Sequence, residues 1–319
     1  MAQLSVIVVS WNTRELLQRC LGSVFASAAD VAGLDVIVAD NASVDGSAEM
    51  VAARFPQVTL IRNLQNVGFA AANNQAVQLA RGDFLLFLNS DTEIVGAAIH
   101  EMLRYATDHP DVAVLGPQLL NSDGTVQPSR RRFPTVTTAF LESTVLQRWF
   151  PNHPALRAYY LLDRSDHETQ EVDWLVGACL LVRSEAAKQV GLMDEGYYMY
   201  SEELDWCRRF AAAGWRIVYH PVAKVIHHGG QSSDQDLFRR HILFQHSKCR
   251  YFERYHGRPF AQLLRVFVLS NYIFMLIEDV AKLLLLRRNR SMRRQRISTL
   301  SRVVAWQFRW VARRGEVPL

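Results

Sequence analysis

Near-continuous apolar runs alternate with helix-spaced segments along the first hundred residues. The apolar runs occupy residues 5–10 (SVIVVS), 34–40 (LDVIVAD), 58–63 (VTLIRN) and 83–91 (DFLLFLNSD). Between them, as in TRELLQRCLGSVFAS, apolar residues recur three and four positions apart, which predicts helices. Strands this apolar, joined by helices, predict an α/β fold with a mostly parallel central sheet that is covered by helices on both faces.

Polar side chains stand where two of these strands end. Asp40 and Asn41 lie at the end of the second run, and Asn89 and Asp91 at the end of the fourth. Ligands of such sheets bind beyond the carboxyl ends of the strands. We therefore expect the functional site at this edge.

The second half of the chain has a less regular pattern. Residues 110–183 show the least clear pattern; RRRFPT (130–135) and the segment to about residue 171 predict loops and short helices, and VDWLVGACLLVR (172–183) predicts one buried strand. SEELDWCRRFAAAGW predicts a helix, and RIVYHP and AKVIHHGG predict two short strands. The pattern is helical again near the C-terminus. We expect one domain at 1–238 and a helical extension packed on it at 239–319.

The charge distribution separates the same two regions. The chain of 319 residues carries 36 Lys and Arg against 31 Asp and Glu, a net charge of +5. From Arg239 onward 18 residues are basic and four are acidic, whereas the residues before it include 18 basic and 27 acidic. An acidic body suits bound cations, and a basic extension suits an anionic partner. Hydrophobic residues make up 49% of the chain, which excludes a disordered or collagen-like protein.

Cysteines and hydropathy indicate the expected compartment. The four cysteines form no CxxC pair, which argues against a zinc site or a disulfide framework and favours reduced, cytoplasmic thiols. The N-terminal segment has no signal-peptide pattern. The apolar segment 263–286 carries Arg265, Glu278, Asp279 and Lys282, so we expect it not to span a membrane.

The acids at the strand ends favour cation chemistry. The chain has neither a GxGxxG motif after its first strand nor a GxxxxGK[ST] motif, which argues against dinucleotide oxidoreductases and P-loop enzymes. Asp91 follows an apolar strand directly, and Mg²⁺ or Mn²⁺ binds such carboxylates while phosphate oxygens complete its shell. In the alternative interpretation, Asp91 caps a helix that begins near Val95.

An ordered set of motifs resembles a known family. VIVVSWNTRELLQRCLGSV, VADNASVDGS, RNLQNVGFAAANNQA and LFLNSDTEI resemble the N-terminal half of family 2 glycosyltransferases, which have the GT-A fold. The resemblance resumes with WLVGACLLVR, GLMDEGYYMYSEELDWCRRFAAAGW and VIHHGGQS. It covers residues 4–232 and is similar to the rhamnosyltransferase branch, which is common in polysaccharide and O-antigen assembly. The resemblance implies that residues 1–238 form a GT-A domain.

The resemblance implies a nucleotide-sugar site in the first half of the chain. Asp40 corresponds to an aspartate that accepts a hydrogen bond from the nucleotide base, and a turn-forming role is its alternative. Asn89-Ser90-Asp91 stands at the DxD motif with Asn in place of the first acid, which leaves Asp91 as the main metal ligand. The residues implied in donor binding are Asp40, Asn41, Asn66, Gly68, Asn73, Asn89, Ser90 and Asp91. Gly68 could alternatively serve only to begin a helix.

The second half carries the implied catalytic acids and a further metal ligand. Glu203 occupies the position of the family's base, beside Glu202, and Asp205 is an alternative base; acids in the first turn of a helix are also common without any catalytic role. Because adjacent side chains of a strand face opposite ways, only one of His227 and His228 can reach the metal or diphosphate, and the motif spacing favours His227. A structural histidine is the alternative. Trp174, Gly177 and Ala178 are implied in the acceptor or sugar pocket, although Trp174 also suits core packing.

These resemblances together imply a function. We expect a metal-dependent inverting glycosyltransferase that uses Mg²⁺ or Mn²⁺ and moves a sugar, with rhamnose favoured, from a nucleoside-diphosphate sugar. dTDP or UDP is expected as the nucleotide, and a glycan or lipid-linked glycan of cell-surface polysaccharide synthesis as the acceptor. A non-catalytic nucleotide-sugar-binding or membrane-docking module is the alternative.

The basic C-terminal extension suggests a partner. RRNRSMRRQR (287–296) is followed by a stretch in which tryptophans and arginines alternate, as in helices that lie on anionic bilayers. We therefore expect a cytoplasmic protein with peripheral association at the inner face of the plasma membrane. A solvated basic face or a homodimer contact is the alternative, and no nucleic-acid partner is expected because no nucleic-acid-binding motif accompanies the charge.

Overall fold

The computed structural model describes residues 4–231, 233–286 and 289–313, with backbone only at 233 and 234. The strands are β1 (Leu4–Ser10), β2 (Leu34–Asp40), β3 (Thr59–Arg62), β4 (Phe84–Asn89), β5 (Thr92–Val95), β6 (Val112–Leu120), β7 (Val126–Gln127), β8 (Arg130–Arg131), β9 (Gln170–Glu171), β10 (Trp174–Leu175), β11 (Cys179–Arg183) and β12 (Arg216–His227). The α-helices are α1 (Arg14–Ser27), α2 (Ser47–Arg54), α3 (Phe69–Val77), α4 (Ala98–Asp108), α5 (Val136–Leu141), α6 (Val145–Trp149), α7 (Pro154–Tyr159), α8 (Ser184–Val190), α9 (Glu202–Ala212), α10 (Leu237–His256), α11 (Arg258–Leu285) and α12 (Arg290–Ala312).

The main sheet has the order β3-β2-β1-β4-β11-β6-β12-β5. Strands β3, β2, β1 and β4 run parallel to one another, whereas β11 is antiparallel to both β4 and β6. The register pairs Ser10 with Asp40 and Val9 with Asn89, so these strands end at the same level. The predicted α/β architecture is confirmed.

The core explains why the first strands are so apolar. Every residue of β1 is buried, because α1 and α4 cover one face of the sheet while α3 lies against the other. Leu17, Leu21 and Val24 of α1 are fully buried against this sheet. Burying a side chain of this size contributes about 1.5–3 kcal/mol. Packing therefore holds the strand ends, and the polar residues on them, in fixed positions.

The middle of the chain differs from the prediction at three places. β6 was not predicted, because Gly116 and Pro117 within it suggest a turn; Pro117 pairs with His220, at the bulge of β12, where its missing N–H is tolerated. The single strand predicted at 172–183 is instead two strands, β10 and β11, which leave residues 176–178 outside both. The two short strands predicted from RIVYHP and AKVIHHGG form one long strand, β12, with the bulge between them.

The structure divides into two compact units. The first comprises the described residues up to Phe133, Tyr160–Tyr198 and Glu202 to residue 231, and it contains the sheet. The second comprises Pro134–Tyr159, Met199–Ser201 and the described residues from 233 onward. The proposed boundary at residue 238 did not include the segment Pro134–Tyr159 with the C-terminal helices.

The second unit is a helical bundle in which α10, α11 and α12 pack against one another. Short helices join the bundle through hydrogen bonds: Val145 N–H donates to Asn271 Oδ1 at 2.9 Å, and Lys248 Nζ donates to Glu142 O at 2.6 Å. Among the described helices, α11 passes the length and composition test for a membrane span, with a third of its most apolar window buried. The sequence prediction had judged this segment a poor span on its charges.

Candidate functional site

The loops that leave β1 and β2 are joined at the carboxyl edge of the sheet. Asn41 N–H donates to Ser10 O at 2.8 Å, and the Asn12 side chain accepts from Val44 N–H at 2.8 Å. The hydroxyls of Ser10, Thr13 and Ser90 form a chain of hydrogen bonds at 3.1 and 2.8 Å, which ties the end of β1 to the loop after β4. Ser90, a predicted donor-site residue, is therefore buried in this connection.

Asp40 keeps one of its two buried carboxylate oxygens without a hydrogen-bond partner in the described part of the chain. Its side chain is buried, and Oδ2 accepts from Ser43 N–H at 3.0 Å. Oδ1 has no hydrogen-bond partner among the described residues. A buried carboxylate oxygen left unpaired costs about 1–3 kcal/mol or more. An N–H donor from a bound base would remove that cost.

A network of amide side chains joins Asn41 to the start of α3. Asn41 Nδ2 donates to Gly68 O at 3.1 Å, and Asn66 Oδ1 accepts from both Gly68 N–H at 3.0 Å and the Tyr198 hydroxyl at 2.8 Å. Gly68 has a φ of +92°, and a Cβ there would lie 2.7 Å from Tyr198 O. Glycine is required here by a close backbone approach as well as by the helix entry. The structure thus brings Asn41, Asn66 and Gly68 together.

Asn73 stands apart from this network. Its side chain is buried, and Nδ2 donates to Phe69 O within its own helix at 2.9 Å. Its neighbour Asn74 instead makes long-range bonds to Met193 O and Glu195 Oε1, both at 2.9 Å. A donor contact by Asn73 stays a prediction. The role of Asn74 was missed because sequence spacing does not show which of the two amides faces Met193 and Glu195.

Asp91 and His227 face each other across two strands. The Asp91 carboxylate is buried, and its Oδ1 lies 3.4 Å from His227 Nε2. Asn89 Nδ2 is also 3.4 Å from His227 Nε2. Burial alone would raise the pKa of Asp91, but the hydrogen bond and charge of His227 outweigh it and lower this pKa. Because β5 follows Asp91 directly, the alternative in which it caps a helix near Val95 is wrong.

Gln127 fixes the orientation of His227. Its Oε1 lies 2.6 Å from His227 Nδ1, while its Nε2 donates to Asn121 Oδ1 at 2.9 Å. Because the amide nitrogen is committed to Asn121, the oxygen must accept from Nδ1–H. Nε2 of His227 then faces Asp91, where it donates to the carboxylate when the ring is charged and offers a lone pair to a cation when the ring is neutral. Gln127 was missed, since nothing in the sequence links it to a histidine one hundred residues away.

His228 points the other way, as strand alternation requires. Its Nδ1 lies 2.7 Å from Ser122 Oγ and its Nε2 lies 2.7 Å from Glu93 Oε1. Burial tends to raise the pKa of Glu93, but hydrogen bonds from His228 and Arg19 lower it overall. His227, not His228, therefore faces Asp91, and its contact with a metal or diphosphate stays a prediction.

The residues present suit a hard divalent cation with few protein ligands. Within the described part of the chain, no group of three or more His, Cys, Asp and Glu side chains could hold a metal. Asp91 and His227 offer one carboxylate and one imidazole nitrogen at 3.4 Å from each other. Mg²⁺ and Mn²⁺ sites of this kind keep positions open for phosphate oxygens. Such a pair fits a cation shared with a diphosphate and does not suit a closed structural site.

The acids at the start of α9 have three different environments. Glu202 is buried, and burial together with the charge of Glu203 raises its pKa well above the usual value. Asp205 is fully buried and pairs with Arg209 Nε at 3.0 Å; Arg209 also donates to the carbonyls of Val190 and Leu192. Glu203 is only half-buried. Asp205 is thus engaged in an ion pair, and Glu203 is the least buried of the three carboxylates, with its Oε2 itself buried.

Gly177 and Ala178 connect the two acidic motifs. Asn89 N–H donates to Ala178 O at 3.0 Å, and a Cβ on Gly177 would lie 3.4 Å from Cγ of Glu203. The break between β10 and β11 therefore touches the end of β4 on one side and Glu203 on the other. Trp174 is buried and donates from Nε1 to Arg132 O at 2.9 Å, so its ring is packed in the protein. A pocket role for Trp174 stays a prediction.

Similar proteins are known at the level of sequence. The chain is 34% identical over 244 residues to N-acetylglucosaminyl-diphospho-decaprenol L-rhamnosyltransferase of Mycobacterium tuberculosis, covering 73% of this chain and 78% of that protein. It is 28% identical over 209 residues to the rhamnosyltransferase WbbL of Escherichia coli, covering 59% and 70%. Both relatives match the predicted branch.

Solved structures share the fold. GalNAc-T7 with UDP, GalNAc and Mn²⁺ aligns with a TM-score of 0.57 at 16% identity, covering 79% of this chain and 48% of that one. The mannosyltransferase PcManGT of Pyrobaculum calidifontis, in complex with GDP-Man and Mn²⁺, aligns with a TM-score of 0.57 at 16% identity, covering 98% and 87%. Glycosyl transferase family 2 matches residues 5–190. The chain therefore belongs to glycosyl transferase family 2 and is a GT-A glycosyltransferase of the rhamnosyltransferase-like branch.

Proposed function

We propose that this glycosyltransferase moves L-rhamnose from a dTDP- or UDP-linked donor to a hydroxyl of a lipid-linked glycan, with inversion at the anomeric carbon. The 34% identity to a rhamnosyltransferase named for a diphospho-decaprenol acceptor supports the sugar and the acceptor class. Family membership and this identity favour an enzyme over the non-catalytic alternative. The protein would act in the cytoplasm, where nucleotide sugars are made available.

The donor would bind along the carboxyl edge of β1, β2 and β4. Asp40 Oδ1, which lacks a protein donor, would accept the imide N–H of a uracil or thymine ring. Asp91 and His227 would hold Mg²⁺ or Mn²⁺ through an oxygen and a nitrogen. When bound, such a cation neutralises the charge that develops on the departing diphosphate.

Glu203 would act as the general base. Its carboxylate takes the proton of the acceptor hydroxyl while that oxygen forms a bond to the anomeric carbon. The bond from that carbon to the diphosphate oxygen breaks at the same time, and the electron pair leaves with the nucleoside diphosphate. Attack opposite the leaving group inverts the anomeric configuration. A base of this kind accelerates transfer by about 10²–10⁴-fold.

One observation carries this proposal: Asn89 of β4 bonds to Ala178, and the adjoining Gly177 lies against Glu203. The cation-binding residues and the base therefore flank the same short segment. The two motifs lie more than one hundred residues apart in the sequence. Their convergence is what transfer between a bound donor and an attacking hydroxyl requires.

Titration calorimetry with nucleotide sugars and Mn²⁺ tests the donor half of the proposal. Asp91→Asn should abolish the Mn²⁺-dependent part of donor binding and turnover, while Asp163→Asn, an exposed acid elsewhere in the first unit, should change neither. A dTDP- or UDP-linked rhamnose should bind more tightly than GDP-sugars. Full turnover of the wild-type protein in excess chelator would contradict the metal role, and preference for another sugar would overturn the donor assignment.

A further inference from the structure

The outward face of α11 is apolar along nearly its whole length. Leu263, Val266, Ile273, Ile277, Val280 and Leu284 are all exposed, at spacings that place them on one stripe with only Ser270 among them. Leu263, Ile277 and Leu284 are 58%, 62% and 74% exposed. A helix that is apolar on its solvent side as well as its packed side is typical of contact with a membrane or another protein.

Aromatic side chains widen this stripe. Trp149 at the end of α6 is half exposed and packs edge-on against Phe274 of α11, with ring centroids 5.3 Å apart. Phe150 beside it is equally exposed. Tryptophan and its aromatic neighbours are the side chains that favour the boundary between lipid headgroups and acyl chains. We call Trp149, Phe150 and the exposed stripe of α11 the apolar face.

The charges around the apolar face are basic. α11 contains two acids, and both are engaged: Glu278 pairs with Arg148 at 2.7 Å and with Lys282, and Asp279 pairs with Arg296 at 3.2 Å. Arg290 and Arg294, at the start of α12, are exposed. Arg254 and Arg258 are exposed at the other end of α11. Apolar surface with basic residues at both ends is complementary to an anionic bilayer.

The same charges disfavour a second copy of the chain as the occupant. In a parallel pair of α11 helices, the arginines of α12 would lie beside their own counterparts. In an antiparallel pair they would lie beside Arg254 and Arg258. Either arrangement brings cations together on an apolar surface, where such repulsion is costly.

The packed side of α11 determines how it meets lipid. Arg265 lies over the ring of Trp310 at 5.1 Å and pairs with Glu253, and Asp279 pairs with Arg296. These bonds tie α11 to α10 and α12. If α11 crossed a bilayer alone, Arg265 and Asp279 would lose these partners and enter hydrocarbon. The helix is therefore suited to lie in the plane of the interface.

We propose that the apolar face of α11, with Trp149 and Phe150, inserts into an anionic lipid bilayer and seats the enzyme on the membrane surface. This goes beyond the proposed function by naming the surface and its orientation, and it does not depend on the sugar or the catalytic residues. The apolar stripe supplies the binding, and the arginines select anionic lipid.

Co-sedimentation of the full-length protein with vesicles, without donor or acceptor, tests this directly. Wild-type protein should bind vesicles made of phosphatidylcholine and phosphatidylglycerol. It should bind vesicles of phosphatidylcholine alone much more weakly. The triple variant Leu263→Gln, Ile277→Gln, Leu284→Gln should lose about tenfold or more in partitioning. Arg290→Gln with Arg294→Gln should lose roughly fivefold per residue on anionic vesicles only.

A matched control separates this face from apolar exposure in general. Leu79, Leu162 and Val222 of the first unit are 47%, 53% and 59% exposed, and their triple change to Gln should leave vesicle binding unchanged. Unaltered circular dichroism and melting temperature establish that each variant is folded. Turnover on a water-soluble acceptor should survive in the α11 variant, so loss of membrane binding is distinguishable from loss of the proposed activity.

Three results would overturn the proposal. Vesicle binding by the α11 triple variant at the wild-type level would remove the apolar face from the interaction. Equal binding of wild type to neutral and anionic vesicles would remove the charge selection. Light scattering that shows a wild-type dimer and a monomeric triple variant would assign the face to a second copy of the chain.

Discussion

Glu203 and Asp205 can be told apart by measuring stability and turnover on the same variants. Asp205 is fully buried and forms an ion pair with Arg209, whereas Glu203 is half-buried beside Gly177. Removing one partner of a buried pair leaves the other charge uncompensated. We therefore expect Asp205→Asn to damage folding and Glu203→Gln to damage catalysis.

The expected sizes follow from these contacts. Breaking a buried ion pair costs about 3–5 kcal/mol. Arg209 keeps its bonds to backbone carbonyls, which places Asp205→Asn at about 3 kcal/mol, or roughly a 10 °C lower melting temperature. Glu203→Gln preserves shape at a half-exposed position, so its melting temperature should be close to that of wild type. Its kcat should fall by about 10²–10⁴-fold, with donor affinity retained.

Differential scanning calorimetry and initial-rate assays on purified Glu203→Gln, Asp205→Asn and Glu202→Gln provide the comparison. Glu202 is buried with a raised pKa, so the neutral amide should replace its carboxyl with little change in kcat. The reasoning would be refuted by an active Glu203→Gln together with an inactive Asp205→Asn of wild-type stability. In that case Asp205 would be the base.

Other outcomes follow from single contacts. Gly68→Ala should lower the melting temperature and reduce the free energy of unfolding by at least about 1–3 kcal/mol, because its Cβ would meet Tyr198 O. Gly124→Ala should cost less, because Gly124 has a φ of +83° but open space around its Cβ position. Gln127→Leu should weaken Mn²⁺ binding, measured by electron paramagnetic resonance, by roughly 10–100-fold. Burial lowers the pKa of His246 to about 4, so the unfolded chain binds a proton at this residue at a higher pH than the folded chain does. The free energy of unfolding should therefore fall by roughly 3 kcal/mol as pH drops from about 6.5 to about 4. Denaturant titrations of His246→Phe should show no such pH dependence.

The parallel half of the sheet was predictable because its strands are buried on both faces. β1, β2 and β4 are mostly apolar, and the polar residues that end them stand at the edge where the structure joins Ser10, Asp40 and Asn89. There, local pattern and tertiary role agree. β6 was missed for the opposite reason: Gly116 and Pro117 read locally as a turn, and only pairing with the bulged β12 makes them part of a strand.

Long-range partners account for what the sequence could not provide at the site. Motif spacing favoured His227 over His228. The contacts that orient the two rings are to Gln127 and Glu93, which bind them on opposite sides. Asn73 and Asn74 likewise look alike in sequence, and only Asn74 bonds to Met193 and Glu195. Each case depends on a segment one hundred or more residues away, which no local pattern contains.

The three acids of α9 show how one helix turn can separate chemical roles. Successive residues of an α-helix are rotated by about 100°, so Glu202 and Asp205 lie about 60° apart while Glu203 points away from both. The two that face inward are buried; burial and the charge of Glu203 raise the pKa of Glu202, while Arg209 compensates the charge of Asp205. Glu203, which is the least buried of the three and lies against Gly177, is then the carboxylate of this turn that we propose as the base.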